Sequence, residues 1–185
     1  INQVEKSFED APIEILDVGT GSGCISVALA HELPQAEITA VDVSADALEI
    51  ARANAEKNEV SDRIQFVELD ALKPWPTDYT RRFEIIVSNP PYVSFSEFET
   101  LPPEIRGFEP KISLLGGNDG LAFYRKFATM MTNLLKPHSF AFFEIGEKQA
   151  AGVSNIFADV GLENIQIEND LAGKHEMVKI LGRGE

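Results

Sequence analysis

The stretch IEILDVGTGSGC, residues 13–24, decides the fold of this chain. Residues 13–19 have the composition of a buried strand, and the glycines at its end form a turn. Residues 23–33 then show helical spacing, with Ile25, Ala28 and Leu29 on one face. A strand that passes through a glycine turn into a helix is typical of a parallel sheet covered by helices.

The same alternation of strands and helices continues along the chain. Strands are predicted at 36–44, 63–71, 83–89 and 139–146, helices at 45–58, 120–137 and 148–161, and a closing hairpin at 163–170 and 176–183. We therefore predict an α/β fold with a mostly parallel seven-stranded sheet, helices on both faces and an antiparallel C-terminal hairpin at one edge.

Two local features refine this pattern. The helix at 45–58 is expected to begin after Ser44 as its N-cap and to bury Leu48, Ala51 and Ala55. Residues 92–118 are rich in Pro, Gly and Glu, show no clear periodicity, and are predicted to form a long functional loop.

The composition favours one globular domain. The chain has 185 residues, of which 44% are hydrophobic, and no apolar run approaches the roughly 18 residues of a membrane span. Its formal charge of −14 disfavours a nucleic-acid partner, because phosphates are held by Lys and Arg. A single cysteine, Cys24, fits a reducing cytoplasm, and His31, His138 and His175 show no metal-ligand pattern, so no metal is predicted.

The glycine turn favours a ligand that carries positive charge. The spacing of Gly19, Gly21 and Gly23 is not that of a P-loop. It differs from the dinucleotide form G-x-G-x-x-G at Cys24, which disfavours NAD without excluding it. Asp17, just before the glycines, would repel a pyrophosphate and suits an amino group or a sulfonium.

Two further carboxylates follow the next predicted strands. Asp42 ends the second strand, where a carboxylate can hold the hydroxyls of a ribose. Asp70 ends the third strand, where it or the next backbone amide could meet the edge of an adenine. Both residues are also common turn formers, and this structural role is the alternative interpretation, above all for Asp70.

The stretch NPPY, residues 89–92, follows the fourth predicted strand and indicates a site for a planar NH2 group. Pro90 restricts Asn89 to an extended conformation, and the prolines carry no N–H that could compete as a donor. The side-chain oxygen of Asn89 and the carbonyl of Pro90 can then accept the two hydrogens of one amide or base. Tyr92 supplies a ring on which that group can stack.

At this point the residues resemble a known family. Asp17 to Gly23, Asp42, Asp70 and Asn89 to Tyr92 resemble the class I S-adenosylmethionine methyltransferases that methylate amino groups, which have a Rossmann-like fold. The stretches RGFEPKISLLGGNDGLAFYR (106–125), EIGEKQ (144–149) and DLAGKHEMVKILGR (170–183) are similar to the peptide chain release factor glutamine methyltransferases, the HemK-like family.

The resemblance implies N5-methylation of the glutamine in the Gly-Gly-Gln motif of class I release factors, with S-adenosylmethionine as donor and S-adenosylhomocysteine as product. It implies a cytoplasmic enzyme without a membrane partner. The implied catalytic residues are Asn89, Pro90 and Tyr92, and the glutamine amide would be bound by Asn89, Pro90, Pro91 and Tyr92. The implied cofactor-binding residues are Asp17, Gly19, Thr20, Gly21, Ser22, Gly23, Asp42, Val43, Asp70, Ala71 and Asn89.

The chain also departs from the family. Members carry a small helical N-terminal domain that helps engage the release factor, and we expect residues 1–185 to form the methyltransferase domain without it. Ala71 stands where some members have an aromatic residue, so the resemblance provides no stacking ring for adenine there.

Other functions remain open from the residues alone. An adenine N6 and a glutamine amide are both planar NH2 donors, so NPPY does not separate a DNA or RNA adenine methyltransferase from a protein methyltransferase. Methylation of a glutamine in a ribosomal protein is a further alternative function. A cofactor-binding module without activity is disfavoured by the presence of Asn89 and Tyr92. A nicotinamide dehydrogenase is disfavoured by Asp17 and by the lack of a catalytic Lys, Tyr and His constellation.

Overall fold

Seven strands form one sheet in a computed structural model that describes residues 12–80, 82–162, 164–169 and 175–182. The strands are β1 Ile13–Val18, β2 Ala36–Asp42, β3 Ile64–Glu68, β4 Phe83–Ser88, β5 Leu135–Glu144, β6 Asn164–Asn169 and β7 His175–Leu181. Their order is β3-β2-β1-β4-β5-β7-β6. The first five are parallel, and β7 is antiparallel to both neighbours, which confirms the predicted mixed sheet.

Helices lie on both faces of this sheet. The α-helices of the described residues are α1 Cys24–Glu32, α2 Ala45–Lys57, α3 Phe95–Phe98, α4 Pro103–Phe108, α5 Lys111–Leu114, α6 Ala122–Leu134 and α7 Ala150–Asp159. Side chains of β4 alternate between the faces, as the period of a strand requires. Ile85 and Val87 pack in the cluster that includes α1 and α2, whereas Ile86 packs with α6 and α7.

The expected features of α2 are confirmed. Ser44 caps the helix, its hydroxyl accepting the Ala47 N–H at 3.2 Å. Leu48, Ala51 and Ala55 are buried, so the apolar stripe faces the sheet.

The first helix is present, but the face predicted for it is not the buried one. Its buried residues are Ser26 and Ala30. Ile25 and Ala28 are exposed and Leu29 is half-buried. The small residues Ser26 and Ala30 allow the helix to lie close to the sheet, and this leaves Ile25 and Leu29 on the wall of a groove.

The boundary between α6 and β5 also differs from the prediction. The helix ends at Leu134 instead of at Pro137, because Leu135 is already extended and pairs with Phe83 of β4. Pro137 therefore lies inside β5. It is accommodated where the register with β4 shifts, since an irregular ladder does not need the N–H that proline lacks.

Residues 92–118 are more ordered than the predicted loop. They contain the three short helices α3, α4 and α5, and a bridge between Val93 and Leu115 closes the segment at its base. Local caps explain these helices. Ser94 and Glu97 form a reciprocal capping box on α3, and Pro103 is the first residue of α4.

Within the described part of the chain, no helix has both the length and the apolar character needed to cross a membrane.

Candidate active site

The glycine turn joins the end of β1 to α1 and lies beside the end of β2. The amides of Gly19 and Thr20 both donate to the carbonyl of Val41, at 2.9 and 3.0 Å. Gly23 has φ +80°, and a Cβ there would lie 3.0 Å from Cβ of Ala51 in α2. Only glycine combines this backbone with such close packing. A Cβ on Gly19 or Gly21 would meet nothing within 4 Å, so the turn is open on its outer side.

Asp17 connects the glycine turn to α1 through hydrogen bonds of its side chain. Its side chain is completely buried, and Oδ2 accepts the hydroxyls of Thr20 at 2.7 Å and Ser26 at 2.6 Å. Oδ1 has no hydrogen-bond partner among the described residues. Burial raises the pKa of Asp17, and the hydrogen bonds from Ser26 and Thr20 oppose that rise. A buried carboxylate with an unsatisfied oxygen favours a positively charged neighbour.

Asp42 ties the glycine turn to the second strand. Oδ2 accepts the N–H of Gly21 and Oδ1 accepts the N–H of Ser44, both at 2.9 Å. The side chain is half-buried, and a carboxylate retains further lone pairs after one bond to each oxygen. Val43, the next residue, is 49% exposed, so an apolar side chain lies open beside this carboxylate.

Asp70 and Ala71 lie just beyond β3. The N–H of Leu69 donates to the Asp42 carbonyl at 2.9 Å, which brings this segment to the end of β2. Asp70 accepts the N–H of Leu72 at 3.0 Å and lies 3.4 Å from Nζ of Lys73. Asp70 thus has the contacts of a turn former, the alternative considered above.

Ser22 and Cys24 complete the outer side of the glycine turn. Both residues are exposed, and their side chains lie 3.2 Å apart. The carbonyl of Ser22 accepts the side-chain amide of Asn54 in α2 at 2.9 Å, which fixes the turn to that helix.

The NPPY turn begins where β4 ends, next to β1. Ser88 is buried and donates its hydroxyl to the carbonyl of Val18 at 2.7 Å. This bond places Asn89, which follows β4, beside the end of β1 from which the glycine turn emerges. Asn89 is exposed, and its side chain makes no hydrogen bond to the described residues, whereas Pro90 is buried and Pro91 and Tyr92 are half-buried.

The groove on whose wall Ile25 and Leu29 lie is a cavity of about 400 Å³ that opens beside Asn89. Its polar wall includes Ser88, Asn89, Glu144 and Glu168, and its apolar wall includes Ile25, Leu29, Val87, Phe142 and Met177. Neither the glycine turn nor Asp42 or Asp70 lines it. The residues predicted to bind the cofactor thus lie at neighbouring strand ends outside this groove, whereas Asn89 lines it.

The sequence did not reveal two residues that hold Tyr92. Glu144, at the end of β5, accepts the phenol hydroxyl of Tyr92 at 2.9 Å. Gln149 donates its amide to the carbonyl of Tyr92 at 2.8 Å. Both belong to the stretch EIGEKQ, which was visible as a motif, but nothing in its spacing indicates a partner more than fifty residues away.

Among the described residues, no group of three or more His, Cys, Asp or Glu side chains could hold a metal ion.

The order of the strands and the open glycine turn beyond β1 define the fold of the class I S-adenosylmethionine-dependent methyltransferases. A solved methyltransferase from Pyrococcus furiosus has the same fold, with a TM-score of 0.68 over 98% of this chain and 81% of its own length at 16% identity. Residues 3–101 match the methyltransferase small domain family. This match covers more than half of the chain, and the chain belongs to that family.

Two relatives with named activities show which methyltransferases this chain is similar to. The release factor glutamine methyltransferase of Chlorobaculum tepidum is 46% identical over 156 residues, which cover 82% of this chain and 52% of the relative. The bifunctional methyltransferase of Rickettsia conorii is 39% identical over 177 residues, which cover 96% of this chain and 33% of the relative. The predicted resemblance is confirmed, and the chain spans about half or less of these two proteins.

Proposed function

We propose that this protein transfers a methyl group from S-adenosylmethionine to the N5 amide nitrogen of the glutamine in the Gly-Gly-Gln motif of class I peptide chain release factors. One observation carries the proposal: the exposed side chain of Asn89 lies at the end of β4, which the Ser88 hydroxyl joins to the end of β1. An acceptor amide held there would lie next to a donor held by the glycine turn. The relatives' names support glutamine as the acceptor.

The residues around the glycine turn fit S-adenosylmethionine. This group, when bound, supplies a methyl on a positively charged sulfur and also carries an ammonium group, and the unpartnered Oδ1 of Asp17 suits that charge. Asp42 would hold the ribose hydroxyls, and exposed Val43 would contact the adenine. Backbone of Gly19, Thr20, Gly21, Ser22 and Gly23, together with Asp70 and Ala71, would complete the site.

The acceptor amide would be held by the NPPY turn. The oxygen of Asn89 and the carbonyl of Pro90 each accept one hydrogen of the NH2 group, and the rings of Pro91 and Tyr92 flank it. An amide nitrogen is a weak nucleophile because its lone pair is delocalised. Two acceptors polarise the N–H bonds and fix the nitrogen in line with the methyl, and such placement supplies up to about 7–11 kcal/mol in favourable cases.

The proton leaves after the new bond has formed. The nitrogen becomes strongly acidic once it gains the methyl, so no strong base is needed. Asn89 is exposed, and the proton held at its oxygen can pass to water at the mouth of the groove.

A protein substrate agrees better with the charge than a nucleic acid does. The formal charge is −14. The longest basic cluster in the sequence is Arg81 and Arg82. Arg82 lies 3.2 Å from Glu14, so part of this cluster is neutralised. The same proposal places the protein in the cytoplasm, where the exposed thiol of Cys24 would stay reduced.

Methyl transfer from labelled S-adenosylmethionine tests this proposal. The full-length protein is incubated with a release factor, with the same factor carrying alanine for the motif glutamine, and with an adenine-containing oligonucleotide. We expect label only in the unaltered release factor. Label in the oligonucleotide alone would establish the adenine methyltransferase instead, and label in the alanine form would show that another residue is the acceptor.

A further inference from the structure

The turn between β5 and α7 makes two hydrogen bonds with Tyr92. Glu144, at the start of this turn, accepts the phenol hydroxyl of Tyr92 at 2.9 Å, and Gln149, at its end, donates to the backbone carbonyl of Tyr92 at 2.8 Å. One contact fixes the tip of the ring and the other fixes the main chain from which the ring projects. The NPPY turn is therefore fastened to an element that is remote in sequence.

Gln149 is itself held in place. Its Oε1 accepts the N–H of Gly146 at 3.0 Å, so both ends of the side-chain amide are used. A Cβ on Gly120 would collide with the Tyr92 carbonyl and with Nε2 of Gln149. The amide is thus enclosed between glycine backbones, and it has little freedom to turn away from Tyr92.

Glu144 is anchored in a similar way. Tyr124, which is fully buried, donates its hydroxyl to the backbone carbonyl of Glu144 at 2.6 Å. Burial raises the pKa of Tyr124, so its phenol stays protonated and remains a donor at neutral pH. The end of β5 is therefore a rigid support for the Tyr92 ring.

The placement of Tyr92 is transmitted to the acceptor carbonyl. Pro90 and Pro91 have fixed φ angles and leave few soft torsions between Tyr92 and Asn89. Gly116 also packs against this turn, because a Cβ there would lie 2.6 Å from the Pro91 carbonyl oxygen. A shift of Tyr92 would consequently move the Pro90 carbonyl as well as the ring.

We propose that Gln149 is a positioning residue: by holding the Tyr92 carbonyl, it aligns the Tyr92 ring and the Pro90 carbonyl on the acceptor amide. This inference rests on the proposed function and extends it to a residue that does not touch the substrate. It extends the acceptor site from NPPY to the turn between β5 and α7, which holds Tyr92.

Gln149→Glu is the sharpest test. The variant keeps the length of the side chain and the acceptor for Gly146, but it loses the donor to Tyr92. We expect kcat for release factor methylation to fall by about tenfold to a hundredfold, the range that follows from a small misplacement of reacting groups. Cofactor affinity should be unchanged. Gln65→Glu on β3 is the matched control, because Gln65 is exposed and undergoes the same change.

A double-mutant cycle separates positioning from simple stability. Tyr92→Phe removes the hydroxyl that donates to Glu144 and keeps the ring. If Gln149 and Glu144 align the same ring, the losses in kcat of Gln149→Glu and Tyr92→Phe should not multiply in the double variant. Independent multiplication of the two losses would overturn the inference.

An unchanged kcat in Gln149→Glu would also overturn the inference. So would a loss of kcat in this variant that is accompanied by a lower melting temperature and weaker cofactor binding. Gln149→Met, which is neutral and similar in length, should reproduce the loss in kcat; full activity in Gln149→Met would count against the hydrogen bond to Tyr92. Failure of the unaltered protein to label the release factor would contradict the proposed function instead.

Discussion

Asp17 is a completely buried carboxylate, and we propose that it serves the donor at a cost to the stability of the fold. Its two hydroxyl partners satisfy one oxygen and leave the other without a partner among the described residues. Such a group is tolerated when a cation completes the site. The same side chain should therefore weaken the protein alone and strengthen its complex with the donor.

The pH dependence of stability tests this role. Because burial raises the folded-state pKa of Asp17 above 3.8, the folded state binds the proton more tightly than the unfolded state, and stability falls as pH rises from 3.8 through the folded-state pKa. Asp17→Asn lacks this loss. We expect its free energy of unfolding, relative to the unaltered protein, to improve between pH 4 and pH 7 in urea titrations, while affinity for S-adenosylmethionine falls. A difference in stability that is constant with pH would contradict this account of Asp17.

At the scale of elements, the contact between α1 and α2 depends on Gly23. The backbone there has φ +80°, and α2 approaches so closely that a Cβ would lie 3.0 Å from Cβ of Ala51. The backbone angle of the turn and the packing of the two helices thus both require glycine at position 23. Gly107, in α4, provides the contrast, since a Cβ there would meet nothing within 4 Å.

Paired alanine substitutions test this requirement. Gly23→Ala should destabilise the protein by at least about 1–2 kcal/mol, from the left-handed backbone alone. Gly107→Ala should instead be neutral or stabilising by up to about 0.5–1 kcal/mol, because alanine is favoured over glycine within a helix. Urea unfolding of both variants measures the two effects. Equal shifts in the two variants would contradict the packing described for Gly23.

The elements differ in how far the sequence determined them. The strands and α2 were predicted because their apolar periodicity and the Ser44 cap are local signals. The inward face of α1 was not, because its buried residues Ser26 and Ala30 are small and its larger side chains line the groove. The helices within 92–118 are too short to show a period, and the bridge that closes the segment joins Val93 to Leu115, which are far apart in sequence.

At the scale of the whole molecule, the sheet order brings separate motifs to one edge. Parallel pairing aligns Val18 with Val41 and with Ser88, so the segments that follow β1, β2 and β4 emerge side by side. This convergence follows from the parallel sheet that the sequence predicted, since the carboxyl ends of parallel strands share an edge. It could not predict the contacts of Glu144 and Gln149 with Tyr92, because these depend on how β5 and the turn after it lie against the NPPY segment.

The central claim is that Asn89 holds the acceptor amide next to a donor bound by the glycine turn. The most direct test measures methyl transfer to a release factor and affinity for S-adenosylmethionine in Asn89→Ala, with Asn133→Ala, on the exposed side of α6, as the matched control. We predict that kcat falls by roughly a hundredfold in Asn89→Ala, the scale seen when one positioned hydrogen-bonding group is removed. Donor affinity should be retained, and the control should be unaffected. Undiminished turnover in Asn89→Ala would contradict the claim.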